Sequence, residues 1–140
     1  MITITKEFTF DAAHRLFGYE GKCFNLHGHS WKVLITVVSS HPLNNLGMVI
    51  DFKNLKEIFQ KWLDNNWDHA TILNDLDTDV IEFCGLMGFK CFKVKGNPTA
   101  ENMANFLLES FNLFLPAGFY VEQVVVYETE KNFVTAKLVR

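Results

Sequence analysis

Cysteine is scarce in this chain of 140 residues. There are three, an odd number, and Cys84 and Cys91 lack the close CxxC spacing of a metal knuckle, so neither a disulfide framework nor a cysteine-built structural site is expected. No dense Lys/Arg run exists, and the formal net charge is −3, which argues against nucleic acid or an anionic membrane as the partner and leaves a small molecule. No window approaches the roughly 20 apolar residues of a membrane span. Met1 to Phe10 has no basic stretch followed by an apolar one, so no signal peptide is read and a cytoplasmic location is expected. Repeats, low-complexity tracts and interdomain linkers are missing, and one domain over 1–140 is expected.

Apolar material is plentiful by contrast. Hydrophobic residues make up 49% of the chain and fourteen are Phe, enough for a core with aromatic surface left over, so a homo-oligomer is expected.

The densest chemistry lies in Cys23-Phe24-Asn25-Leu26-His27-Gly28-His29, with His14 upstream in Ala12-Ala13-His14. In an extended strand residues 27 and 29 point to one face, so both imidazoles can meet one ion. Gly28 between them lets other backbone or a substrate approach closely. Three histidines are the ligand set of a catalytic zinc site, which keeps a fourth position open. Cys23 is either a fourth ligand that closes the site or a free thiol, and ligand types alone do not choose.

Alternating apolar residues Ile2, Ile4, Phe8 and Phe10, repeated in texture from Trp31 to Val38, predict an antiparallel strand pair joined through Gly18 to Gly21. That pairing brings His14 near His27 and His29. After a turn-rich break at 41–47, Leu55, Ile58, Phe59 and Trp62 predict a helix over about 51–65 with Asp51 as N-cap. Residues 66–74 show no clean period and read as a loop or short helical turn. Residues 90–95 alternate and can form one short strand. Thr99 begins a second predicted helix, about 99–113, whose apolar face carries Met103, Ala104, Phe106, Leu107 and Phe111. Segments 120–128 and 133–139, joined through 129–132, read as a closing hairpin. The plan is α+β: an antiparallel four-stranded sheet, ββααββ, with two helices on one face.

Ala12-Ala13-His14-Arg15, Cys-x3-His-Gly-His, Gly47-Met48-Val49-Ile50-Asp51-Phe52, Asp68-His69 with Leu73-Asn74, Pro98-Thr99-Ala100-Glu101-Asn102 and Glu128-Thr129 together resemble the 6-pyruvoyltetrahydropterin synthase family, nearly end to end. The three-residue spacer between Cys23 and His27 is similar to the bacterial branch that makes a carboxypterin in queuosine biosynthesis; animal members have a longer spacer. The resemblance implies the T-fold, a hexamer whose sheets join into a barrel, and a zinc-dependent lyase acting on 7,8-dihydroneopterin triphosphate. It implies zinc on His14, His27 and His29, with Cys23 as proton acceptor, His69 exchanging protons under the orientation of Asp68, and Glu128 anchoring the pterin and joining the relay. Thr99 and Glu101 fall where the family places pterin contacts, and capping alone would explain Thr99. The segment 75–95, with Cys84 and Cys91, is longer than in the short bacterial members, which bears on whether the product is the carboxy or the pyruvoyl compound.

Overall fold

In the computed structural model, which describes residues 1–139, two long strands dominate: β1 (Ile4–His14) and β2 (His27–Ser39). They pair antiparallel with Phe8 opposite Val33, Phe10 opposite Trp31, Ala12 opposite His29 and His14 opposite His27. Alternation therefore sends Phe8, Phe10, Ala12 and His14 of β1 to the same face as the odd-numbered residues of β2. That face is the core.

A helix, α1, runs over 52–66 with a π-type stretch at Lys56–Gln60. Asp51 caps it as expected, its carboxylate accepting from the Lys53 amide at 2.9 Å. After it come β3 (Ala70–Asn74), α2 (Thr78–Met87), β4 (Cys91–Val94), α3 (Ala100–Asn112), β5 (Phe119–Tyr127) and β6 (Phe133–Lys137). Leu55, Phe59 and Leu63 of α1 and Met103, Leu107 and Phe111 of α3 close over Phe8, Phe10, Trp31, Val33 and Ile35 in one buried cluster. Phe59 stacks on Phe111 at 4.6 Å between ring centroids. None of the described helices is long and apolar enough to cross a membrane.

The sheet departs from the expected one. It has six strands in the order β4-β3-β1-β2-β5-β6, and it is mixed: β1 pairs β3 in parallel and β3 pairs β4 in parallel. β1, β2, β5 and β6 pair antiparallel, but a β3-α2-β4 unit makes the sheet a six-stranded mixed one in place of the expected four, and the helices number three among the described residues. Residues 70–74, read as a loop or helical turn, form β3. Ile72 and Leu73 are adjacent and both fully buried, so the strand is covered on both faces and its apolar run carries no alternation to detect. Helix α2 was hidden for the opposite reason. Phe83, Leu86 and Met87 are exposed and only Cys84 is buried, so it has no core-facing stripe.

On the far side of β1, Thr5, Glu7, Thr9 and Asp11 are exposed, leaving that face of the sheet open to solvent in the single chain.

Candidate metal centre

The β1–β2 register sets His14, His27 and His29 on the helix-side face at the end of the hairpin nearest the 15–26 connection. His14 is 2% exposed and the other two are half-buried. Their ring centroids lie 4.7 to 5.1 Å apart, His29 edge to face with both His14 and His27, and His14 tilted against His27. Trp31 forms the floor, fully buried, with centroids 5.0 Å from His14 and 5.3 Å from His29, and its indole N–H donates to the Ala12 carbonyl at 3.2 Å.

The hydrogen bonds assign the tautomers. His14 Nδ1 lies 2.8 Å from the Pro98 carbonyl oxygen and His27 Nδ1 lies 2.7 Å from that of Asn25. A carbonyl only accepts, so each Nδ1 carries the proton and each Nε2 keeps its lone pair, as in a metal-ligating histidine. The buried Nε2 of His14 has no hydrogen-bond partner, and the buried Nε2 of His29 meets only the Glu128 carboxylate. A buried polar atom without a partner is rare and costly, and that of His14 points its lone pair into the group.

Glu128, just past the end of β5, completes the group. Its Oε1 lies 3.0 Å from His29 Nε2 and 3.8 Å from His14 Nε2. Ligand atoms of His14, His27, His29 and Glu128 all fall within 4.8 Å of one another. Three imidazole nitrogens and a carboxylate suit a divalent first-row metal. Cys23 is not in this group, so the fourth-ligand reading of the thiol finds no support in the geometry.

Burial pushes the pKa of both His14 and His29 down, as does the proximity of the other rings. Both rings are therefore neutral in the metal-free protein near pH 7, ready to ligate. The unfolded chain takes up protons near pH 6.5, before the folded one does, so this contribution to stability is full above that value and is lost as the pH falls toward the lower folded pKa. Chelated protein is expected to melt at a lower temperature at pH 5.5 than at pH 7.5. A melting temperature flat across that range would show that the rings are not held neutral.

The remaining predicted residues fall in three places. Cys23 is half-buried in a single 3-10 turn, Lys22–Phe24, in the 15–26 connection. Thr99 caps α3, accepting from the Asn102 amide at 3.1 Å, while Glu101 and Glu128 share a cleft with Ala100, Lys131 and Phe133. Glu128 therefore borders both the histidines and the cleft. Sequence reading gave it a substrate role and missed its place beside the metal group; its position near the end of an apolar strand carried no signal of that neighbour.

Asp68 and His69 do not join this cluster. His69 adopts a left-handed φ of 59°, donates its backbone N–H to the Asp11 carbonyl at 2.7 Å, and is 78% exposed in its side chain. It shares a depression with Asp11, Ala13, Gly28 and Ser30, of the strand phase opposite the three histidines, and with Ala12 and His29, so the depression opens mainly on the far face of the sheet. A Cβ at Gly28 would lie 3.4 Å from the Ala12 carbonyl oxygen, so the glycine keeps this floor low. Asp68 holds the ring, with Oδ2 2.9 Å from His69 Nδ1, and its Oδ1 accepts from the Asp11 amide at 3.0 Å. Burial alone would raise the Asp68 carboxyl, but the Asp11 amide, His69 and Lys90 outweigh it and keep the group anionic. Cys91 is the reverse case: burial and the neighbouring Cys84 thiol push it up, which leaves it an unreactive thiol.

Fold and site together define an α+β protein with a three-histidine, one-carboxylate group able to hold a metal ion at the end of a long β-hairpin. The chain belongs to the 6-pyruvoyl tetrahydropterin synthase family, whose model matches residues 3–138. It is 40% identical over 139 residues to the 6-carboxy-5,6,7,8-tetrahydropterin synthase of Rickettsia felis, covering 96% of this chain and 99% of that one. It is 40% identical over 140 residues to the Haemophilus influenzae protein of the same name, covering 95% and 96%. The solved structure of Caenorhabditis elegans 6-pyruvoyl tetrahydropterin synthase superposes with a TM-score of 0.70 at 28% identity, covering 99% of this chain and 96% of that chain.

Proposed function

We propose that this protein, acting as one domain over its whole length, is a zinc-dependent lyase of the cytoplasm. It converts 7,8-dihydroneopterin triphosphate to 6-carboxy-5,6,7,8-tetrahydropterin, releasing acetaldehyde and triphosphate, in queuosine biosynthesis. The observation that carries the reaction class is the convergence of His14, His27 and His29 with Glu128, which also borders a cleft. The choice of the carboxy product rests on near full-length likeness to relatives bearing that name.

His14, His27 and His29 hold the zinc, which when bound supplies Lewis acidity toward the substrate's side-chain hydroxyls. Glu128 turns to the cleft and accepts two parallel N–H bonds from the pterin, as a carboxylate does from any forked donor. Glu101 and the start of α3 at Thr99 line the approach. Cys23 takes a proton from the three-carbon side chain. His69, oriented by Asp68, exchanges protons with the thiol or the substrate.

Because Asp68 and His69 stand across the sheet from their own chain's histidines, they serve the site of a neighbouring copy. A hexamer in which sheets join into a barrel supports this: it covers the open face at Thr5, Glu7, Thr9 and Asp11 and satisfies the sheet edges.

The test is incubation of the zinc-loaded protein with 7,8-dihydroneopterin triphosphate, with the pterin identified by mass and acetaldehyde assayed. Carboxypterin with acetaldehyde is the expected result. Turnover without acetaldehyde would transfer the assignment to a 6-pyruvoyl product, and unchanged substrate with zinc bound would make the protein a zinc or pterin binder of the same fold.

A further inference from the structure

The β3-α2-β4 unit, whose Ile72 and Val94 join the core, also reaches back to the connection that carries Cys23. Asp77, immediately before α2, is 1% exposed and makes no capping bond to its own helix. Its two carboxylate oxygens instead accept from Arg15, Oδ2 from Nε and Oδ1 from Nη2, both at 2.6 Å. The guanidinium held in this way lies over the Phe24 ring, with Cζ 4.7 Å from the centroid. Phe24 adjoins Cys23 in the 3-10 turn, and the Cys23 carbonyl accepts from the Leu16 amide, next to Arg15, at 2.8 Å. A second tie fixes the stem of the same connection. Asn97 accepts from the Phe17 amide at 2.8 Å and donates to its carbonyl at 3.1 Å, and Asn74 at the end of β3 donates to Asn97 at 3.1 Å.

We infer that Asp77 and Arg15 are positioning residues that, through Phe24, set the place of the Cys23 thiol, and that holding this turn is what the β3-α2-β4 unit contributes to the reaction. The inference rests on Cys23 being the proton acceptor. Two parallel bonds to a carboxylate fix the plane of a guanidinium, which a lysine ammonium cannot reproduce. A fixed plane in turn selects the one ring orientation that stacks beneath it. The turn is then held from outside by an ion pair that is itself shielded from solvent, rather than by its own short hydrogen bonds.

Three variants test this in the zinc-loaded enzyme: Asp77→Asn, Arg15→Lys and Phe24→Ala. Phe24 is exposed, so its truncation leaves the core intact even if the buried Asp77 substitution impairs folding. Each is expected to lower kcat about tenfold to a hundredfold, the scale of a displacement near 1 Å, with KM and zinc content unchanged. The Arg15→Lys, Phe24→Ala double variant is expected to fall no further than the worse single, because both act along one chain of contacts. Independently of turnover, the rate at which iodoacetamide modifies Cys23, read from the mass of its peptide without substrate, is expected to rise about fivefold as access to the half-buried thiol opens. Parent values of kcat and of alkylation rate in both Arg15→Lys and Phe24→Ala would overturn the inference, as would a loss that appears only as lower thermal stability. If Cys23→Ala instead keeps full turnover, the base assignment fails, while the alkylation series still reads whether the turn is clamped.

Discussion

Cys23→Ala is expected to lower kcat by about a thousandfold, within the range for loss of a general acid–base group, while zinc content stays at the parent level. The second half of that expectation follows from geometry. The convergent group comprises His14, His27, His29 and Glu128, and the thiol is outside it on a separate 3-10 turn. Zinc quantification beside steady-state kinetics decides between roles: activity and metal lost together would make Cys23 a ligand, and activity lost alone leaves it the base. Cys91→Ala is the matched control, since burial and the Cys84 thiol push that group up and outweigh the opposing Lys93.

The part of the molecule legible in the sequence is the part where local periodicity and tertiary role agree. β1, β2, the Asp51-capped α1, the Thr99-capped α3 and the closing hairpin all present one apolar face to one core, and each emerged near its expected bounds. The three histidines were legible because strand alternation and a hairpin register suffice to bring 14, 27 and 29 to one face. The β3-α2-β4 unit was not. β3 is buried on both faces, and α2 buries little more than Cys84, so one has no alternation and the other no stripe. Parallel pairing of β1 with β3 is also a long-range event that no local pattern encodes. For the site, the family resemblance supplied Asp68 and His69 as proton-relay residues. The fold places them outside the histidine group, with His69 bonded through its backbone to Asp11 just before β3 begins. Likewise, Arg15 and Asp77 are 62 residues apart and only the folded chain joins them.

The placement of Asp68 and His69 outside the histidine group makes the second large effect separable from the first. His14→Ala is expected to abolish stoichiometric zinc binding, a greater loss than the roughly tenfold to hundredfold that removing a group hydrogen-bonded behind a ligand costs. His14 is the most buried of the three ligands, and its Nδ1–H bond to Pro98 ties the metal group to the start of α3, so alanine there removes a donor, opens a void against Trp31 and leaves the Pro98 carbonyl without its partner. The stabilisation that saturating zinc confers on the parent, seen as a rise in melting temperature, should vanish in this variant, because that increment is the free energy of binding to the folded state. His69→Ala removes an imidazole that is 78% exposed and on the other face, so it should keep both the zinc and the melting increment while losing about a hundredfold or more in kcat. Retention of zinc by His14→Ala would mean that His27, His29 and Glu128 hold the ion without it, and Glu128 would then move from the substrate to the metal. Loss of zinc in His69→Ala would place a neighbouring copy's imidazole at the metal itself, and the two faces of the sheet would have to be read as one site.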